Sequence, residues 1–339
     1  MSRIAVIAYE TNHAVCSSMM MHVGMMEECG HDITLVISSK VDKDIFEDYK
    51  YKETIYSSKK DLRDVLNSGS FDIIWCTNSV YVLYLSLIGI KLPIYLWMQG
   101  DTPAESYMAH HSKIRRFLLQ QVVAFSFRRV KGIIYVSDAM KDYYDSHYRK
   151  TPNNSIIVPC LSEFDSPVIE TKRIPNSYVY IGGLSVWQCF DEMLQIYKSV
   201  RSDDSVLHII TLDINKAQEK VRSIIGDEKN IDIYGITDRS RIPEVLGKFQ
   251  YGFLIRRNDT VNLVSSPIKF LEYISCGVNV IMTDAVASYA RIVEEYEIGS
   301  VVKIGETPRI KPYSTRAKEV YKELFNRDLY VKRYKKLLD

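Results

Sequence analysis

The chain has 339 residues, 46% hydrophobic and 25% charged, with a formal net charge of +2. That composition belongs to a folded globular protein and excludes both a disordered chain and a global pull toward nucleic acid. The length exceeds what one hydrophobic core usually serves, so two domains are expected.

Residues 3–8 form an apolar run that reads as a strand and is too short for the centre of a signal peptide. The loop Tyr9-Glu10-Thr11-Asn12-His13 follows; His13 is a candidate catalytic side chain, although a lone loop histidine is more often a surface residue. Residues 15–28 read as a helix closed by Gly30, and 32–37 as a second strand. The longest apolar region, 80–98, is broken by Gly89, Lys91 and Pro93. A membrane span needs about 20 mostly apolar residues, so this region reads as a buried helix, a turn and a buried strand. Strands at 72–76, 94–98, 132–136 and 155–158 continue the series, with helices between them, the longest at 112–129. Such alternation predicts a parallel sheet covered by helices.

Residues 163–177 are polar, carry Pro167 and Pro175, and read as a linker. The pattern then restarts, with strands at 178–181, 206–211, 231–234, 252–255 and 278–283, and a charged amphipathic helical run at 315–338. Ligands in doubly wound sheets bind beyond the carboxyl ends of the strands. Those ends carry Gly182-Gly183, Gly235-Ile236 and Arg256-Arg257. Glycine there permits close backbone approach to a ligand. Successive strand side chains alternate faces, so one of Arg256 and Arg257 is expected to point toward a ligand, without spacing alone deciding which.

The segment Ser265-Ser266-Pro267-Ile268-Lys269-Phe270-Leu271-Glu272-Tyr273 carries the most information. Pro267 suits a first helical position, and Ser265 or Ser266 can cap that helix. Free N–H groups and the helix dipole favour a phosphate in front of them. Lys269 and Glu272, one turn apart, share a face. Lys269 can neutralise a diphosphate, and Glu272 can accept from sugar hydroxyls. The competing reading is a capped surface helix with an ordinary ion pair.

Other signatures are missing. There is no G-x-x-x-x-G-K-[ST], no H-E-x-x-H and no aspartate-rich metal motif, so no metal is expected. The six cysteines form no C-x-x-C pair, and reduced thiols in a cytoplasmic protein follow. The helix at 112–129 carries Arg115-Arg116 and Arg128-Arg129 at its ends. One reading is a basic, partly apolar face against anionic lipid. The preferred one is a domain helix whose residues 117–119 and 122–127 all serve the core.

On these residues the chain resembles GT-B fold glycosyltransferases, in particular the retaining class that uses nucleotide-diphosphate sugars (the family 4-like, group 1 transferases). The segment 265–273 with Gly277 is similar to that class's donor signature. Tyr180-Ile181-Gly182-Gly183-Leu184 with Trp187-Gln188, and Tyr234-Gly235-Ile236, look like its strand ends. Ile134-Tyr135-Val136-Ser137 and Ile157-Val158-Pro159-Cys160 match the end of its first domain.

The resemblance implies two Rossmann-like, doubly wound α/β domains facing a central cleft. Residues 1–165 would bind the acceptor and 166–314 the donor, while 315–339 would form C-terminal helices crossing back to the first domain. Glu272 would bind the ribose, and Ser265, Ser266 and the helix start would hold the diphosphate. Lys269 with Arg256 or Arg257 would balance its charge, and Gly182, Gly183, Gly235 and Ile236 would line the donor. Lys269, Glu272 and Arg256 would be the catalytic set; His13, Gln99, Asp101 and Glu105 are candidates on the acceptor side.

The implied activity is metal-independent transfer of a sugar to a glycan or lipid-linked glycan in surface polysaccharide synthesis. No cofactor is expected. The donor is expected to be a UDP-sugar, and the site cytoplasmic, at an anionic membrane surface. The chain departs from the class at Val264, where many members have glutamate, at Gly183, where many have arginine, and at Gln99-Gly100-Asp101, where a histidine is common. A non-catalytic partner subunit and a nucleotide-sugar epimerase are therefore the alternatives.

Overall fold

The computed structural model describes every residue except 10–12, 42–45, 47–48, 162–171 and 339, and leaves out the side chains of 13, 14 and 239. The linker expected at 163–177 lies mostly outside the described residues. The chain divides into two compact units, each built on its own parallel sheet.

Among the described residues the first sheet has seven strands: β1 (Arg3–Ala8), β2 (Asp32–Ser38), β3 (Lys52–Tyr56), β4 (Ile73–Cys76), β5 (Ile94–Met98), β6 (Gly132–Tyr135) and β7 (Ser155–Ile157). Their order is β3-β2-β1-β4-β5-β6-β7. Register is set by pairs such as Ala5↔Thr34 and Ala5↔Ile74. Strands β4, β5 and β6 are buried at every position. Both faces are covered, so these strands are continuous apolar runs. The edge strand β3 is mostly exposed and polar, and apolar patterning does not reveal it.

The helices of this unit are α1 (His13–Glu28), α2 (Lys59–Asn67), α3 (Ser79–Leu87), α4 (Thr102–His110), α5 (Lys113–Arg129) and α6 (Asp138–His147). Ser58, Asn78, Ser112 and Ser137 cap α2, α3, α5 and α6 by accepting from backbone N–H groups in the first turn.

Among the described residues the second sheet has six strands: β8 (Ser177–Ile181), β9 (Val206–Ile210), β10 (Ile231–Tyr234), β11 (Tyr251–Leu254), β12 (Asn279–Met282) and β13 (Gly299–Val301). The order β10-β9-β8-β11-β12-β13 repeats the doubly wound pattern, with its switch point between β8 and β11. The helices here are α7 (Phe190–Val200), α8 (Ile214–Ile224), α9 (Ile242–Leu246), α10 (Thr260–Leu263), α11 (Ile268–Ser275), α12 (Ala287–Glu295) and α13 (Ala317–Leu324). Tyr178, Tyr197, Phe190, Leu207 and Phe253 lie at the centre of its core.

The charged run near the C-terminus is two helices. After α13 the chain continues as α14 (Arg327–Leu338), which groups with the first unit, as do Val264–Ser266. Tyr334 on α14 shares a 2.6 Å hydrogen bond with His22 of α1. The His22 ring lies against Trp75 and Trp97. Burial lowers its pKa to about 3. Arg327 also pairs with Glu28 at 2.7 Å. Among the described residues no helix is long and apolar enough to cross a membrane.

Candidate functional site

Strand β8 ends at Ile181, and the chain turns at Gly182 with φ +129°. A side chain is rarely tolerated in that conformation. Here it would also collide, because an added Cβ would lie 2.9 Å from the Lys269 Nζ. Gly182 is therefore the opening through which Lys269 reaches the switch point. Gly183 has no such constraint; its nearest outside neighbour would be an Asp213 oxygen at 4.0 Å.

Lys269 lies on α11, whose residues from Lys269 to Ser275 are all buried. This excludes the ordinary surface helix. The Lys269 ammonium donates to the Gln188 Oε1 at 2.8 Å and sits 4.3 Å above the centre of the Tyr180 ring. Burial first, then neighbouring Arg256, depress its pKa well below the usual lysine range, while Glu272 acts in the opposite sense.

Arg256 follows β11, on the other side of the switch point. It is 5% exposed, and burial lowers its pKa too. Its backbone is clamped by Thr283, whose Oγ1 accepts from Arg256 N at 3.0 Å and donates to Arg256 O at 2.6 Å. Arg257 instead reaches outward to Glu192 on α7. The structure separates the ambiguous pair: Arg256 is buried near Lys269, and Arg257 is turned to Glu192.

Glu272 is 3% exposed, one turn beyond Lys269 on the same helix. The next residue fixes that helix to the sheet. The Tyr273 hydroxyl accepts from Ile181 N at 3.1 Å and donates to Phe253 O at 3.3 Å, joining α11 to both strands of the switch point. Gly252 makes room for it, since a Cβ there would lie 2.8 Å from the Tyr273 ring.

At the neighbouring strand ends, Gly235 and the half-buried Ile236 lie beyond β10. An added Cβ on Gly235 would be 3.3 Å from Leu212, which is 74% exposed. The serines behave differently from the capping expectation. Pro267 occupies the cap position of α11, and no side chain caps it. Ser266 Oγ instead accepts from Cys160 N at 3.0 Å within the first unit. Ser265 is half-buried beside it in sequence. Val264 is fully buried, and its carbonyl accepts from Ser137 Oγ at 2.9 Å.

Tyr180, Gln188 and Tyr273 stand inside the sequence motifs, but the patterning does not anticipate their contacts with Lys269 and with the strands of the switch point. Leu212 is not singled out, although it is an apolar residue just past a strand end.

In the first unit, Gln99, Gly100 and Asp101 follow β5. Gln99 is half-buried, and Asp101 is buried. Asp101 accepts from the Tyr143 hydroxyl at 3.1 Å, and Gly100 O accepts from Tyr144 at 3.1 Å. Glu105 folds back against Gly100, where any Cβ would meet its Oε1 at 2.0 Å. Burial and then Asp101 push the Glu105 carboxyl up to about 7. The His13 side chain lies outside the described residues. No cluster of three His, Cys, Asp or Glu side chains fit to hold a metal ion is found among the described residues.

The two doubly wound sheets define an α/β GT-B fold. Known structures share it over the full length. Anabaena HepE in complex with UDP-glucose has a TM-score of 0.67 at 10% identity, covering 100% of this chain and 99% of that one. AviGT4, a glycosyltransferase involved in avilamycin A biosynthesis, has 0.64 at 11%, covering 100% and 98%. The putative UDP-N-acetylglucosamine 2-epimerase from Listeria monocytogenes has 0.53 at 13%, covering 99% and 90%. No protein-family model matches the sequence, and no curated protein sequence is significantly similar to it.

Proposed function

We propose that this chain is a retaining glycosyltransferase that moves a sugar from a nucleotide-diphosphate donor to a glycan or lipid-linked glycan. One observation carries the reading. Lys269 and Arg256, two buried basic side chains, stand at the switch point of the second sheet beside a glycine opening, near enough that Arg256 helps to depress the Lys269 pKa. Burying like charges is costly, and a diphosphate seated there offsets the cost. Glu272 takes the ribose hydroxyls, Ser265 and Ser266 with the start of α11 hold phosphate oxygens, and Gly235, Ile236 and Leu212 contact the base. UDP is the expected nucleotide; HepE, which shares the fold, was solved with UDP-glucose.

The leaving nucleoside diphosphate gains negative charge in the transition state, and donors already fixed in place lower that barrier. Lys269 and Arg256 supply such donors without a metal, in place of the arginine that Gly183 lacks. Gln99, Asp101 and Glu105 are assigned to the acceptor side, as is His13. Retention lets the leaving phosphate assist the acceptor, so no protein base is demanded. Surface polysaccharide synthesis is the setting in which such a transfer fits.

A thermal-shift screen with UDP, GDP, ADP and CDP, with and without magnesium, tests the donor site. A shift with one diphosphate, independent of magnesium, supports it. The anomeric configuration of the transferred sugar, read by NMR, then tests retention. The fold shared with the epimerase favours one second reading, and turnover of a UDP-sugar to its epimer without acceptor would establish that instead.

A further inference from the structure

Helix α5 has two apolar faces. Val123 and Phe127 point inward and are buried. Ile114, Phe117, Leu118 and Phe125 point outward, and the first three are 75%, 58% and 57% exposed. Their spacing of i, i+3, i+4 and i+11 places them in one stripe along the helix. A domain helix needs only the inward face, so the expectation that residues 117–119 all serve the core fails at Phe117 and Leu118. A contiguous exposed apolar stripe marks a binding surface.

The charge on the same helix identifies the occupant. Its sequence carries five cations and no acid. Lys113, Arg115 and Arg128 make no ion pair among the described residues. Arg116 lies 5.5 Å from the Tyr107 ring centre, and Arg129 caps the carbonyls of Ile90 and Leu92. Pairing this stripe with a second copy of itself would set five cations against five. An anionic lipid surface has the opposite charge and accepts Phe and Leu below its headgroups.

We infer that α5 docks the first unit onto anionic membrane through Ile114, Phe117 and Leu118, with Lys113, Arg115 and Arg128 on the headgroups. The inference stands apart from the donor site and holds whether or not sugar is transferred.

The test is flotation of the full chain with phosphatidylcholine vesicles, with and without phosphatidylglycerol, at low and high salt. Binding to the anionic vesicles alone, weakened by salt, is expected. The double variant Phe117→Ser, Leu118→Ser should reduce the bound fraction about tenfold. Its melting temperature and its shift with UDP should stay unchanged, because both side chains are exposed. The pair Arg115→Gln, Arg128→Gln should weaken anionic binding by about the same factor. Equal recovery with neutral and anionic vesicles would overturn the inference, as would a serine variant that floats like the parent. A dimer in sedimentation that the serine variant dissolves would also overturn it, by assigning the stripe to a second copy.

Discussion

Replacing Lys269 by methionine separates what this lysine does for the fold from what it does for a ligand. In the free protein its amine is buried beside Arg256, and the environment holds its pKa well below the ordinary lysine range. The charged form therefore destabilises the native state. Methionine keeps the volume and removes the charge, at the loss of the Gln188 hydrogen bond and the Tyr180 ring contact. A net gain of about 1 kcal/mol, or about 2–4 °C in Tm, is expected for the unliganded protein. Diphosphate binding should move the other way. A hydrogen bond to a charged group is worth about 1.5–3 kcal/mol, so Kd for UDP should rise about 10- to 150-fold.

The depressed pKa adds a signature. A phosphate raises it, so binding takes up a proton, and affinity falls as pH rises through the lowered value. Calorimetry of UDP binding in buffers of different ionisation enthalpy reads that uptake. It should vanish in Lys269→Met. A variant that is less stable without ligand, yet binds UDP as the parent does, would refute the reasoning.

Gly182→Ala should cost about 1–3 kcal/mol of stability and weaken UDP binding, because it meets both a left-handed backbone and the lysine tip; Gly183→Ala is the control and should be near neutral in calorimetry. The Glu105 carboxyl, pushed up to about 7 from an ordinary 4.5, favours the native state below pH 4.5 and penalises it as pH rises toward 7 and beyond. Glu105→Gln should therefore match the parent in denaturant titrations near pH 4.5 and exceed it by about 3 kcal/mol at pH 8. His22, buried with its pKa lowered to about 3, costs stability as pH falls below 6.5. His22→Gln should flatten that acid limb, a difference of about 3 kcal/mol near pH 4.5 in urea midpoints.

Sequence patterning located most strands because the buried ones are unbroken apolar runs. It missed β3, whose Lys52, Glu53 and Thr54 look like a loop, and β13, which is only three residues long. The Lys269–Glu272 pair is visible in the sequence because both residues sit one turn apart on one helix. Its burial is not visible, since that depends on Tyr273 fitting over Gly252, a contact spanning strand and helix. The pairing of Lys269 with Gln188 is equally hidden, because the two lie 81 positions apart. The capping expectation at Ser266 failed for a similar reason: its hydroxyl oxygen accepts from a backbone N–H 106 positions earlier, not from one in the first turn of α11.

Helix α14 has a consequence for how this gene can be recombined. Tyr334, Arg327 and Arg333 bind His22, Glu28 and the Ile157 carbonyl, so the first unit's core is completed by the end of the chain. The coding sequence of that unit is interrupted by the second unit, which itself encloses the first unit's short segment Val264–Ser266. Exchanging the second unit with that of another GT-B chain needs crossovers before β8 and between α13 and α14, and the incoming stretch must keep Val264–Ser266, whose Val264 carbonyl and Ser266 hydroxyl accept from Ser137 and Cys160. A single crossover that swaps everything after β7 would import a foreign α14 and leave His22, Glu28 and the Ile157 carbonyl facing side chains they were not shaped for.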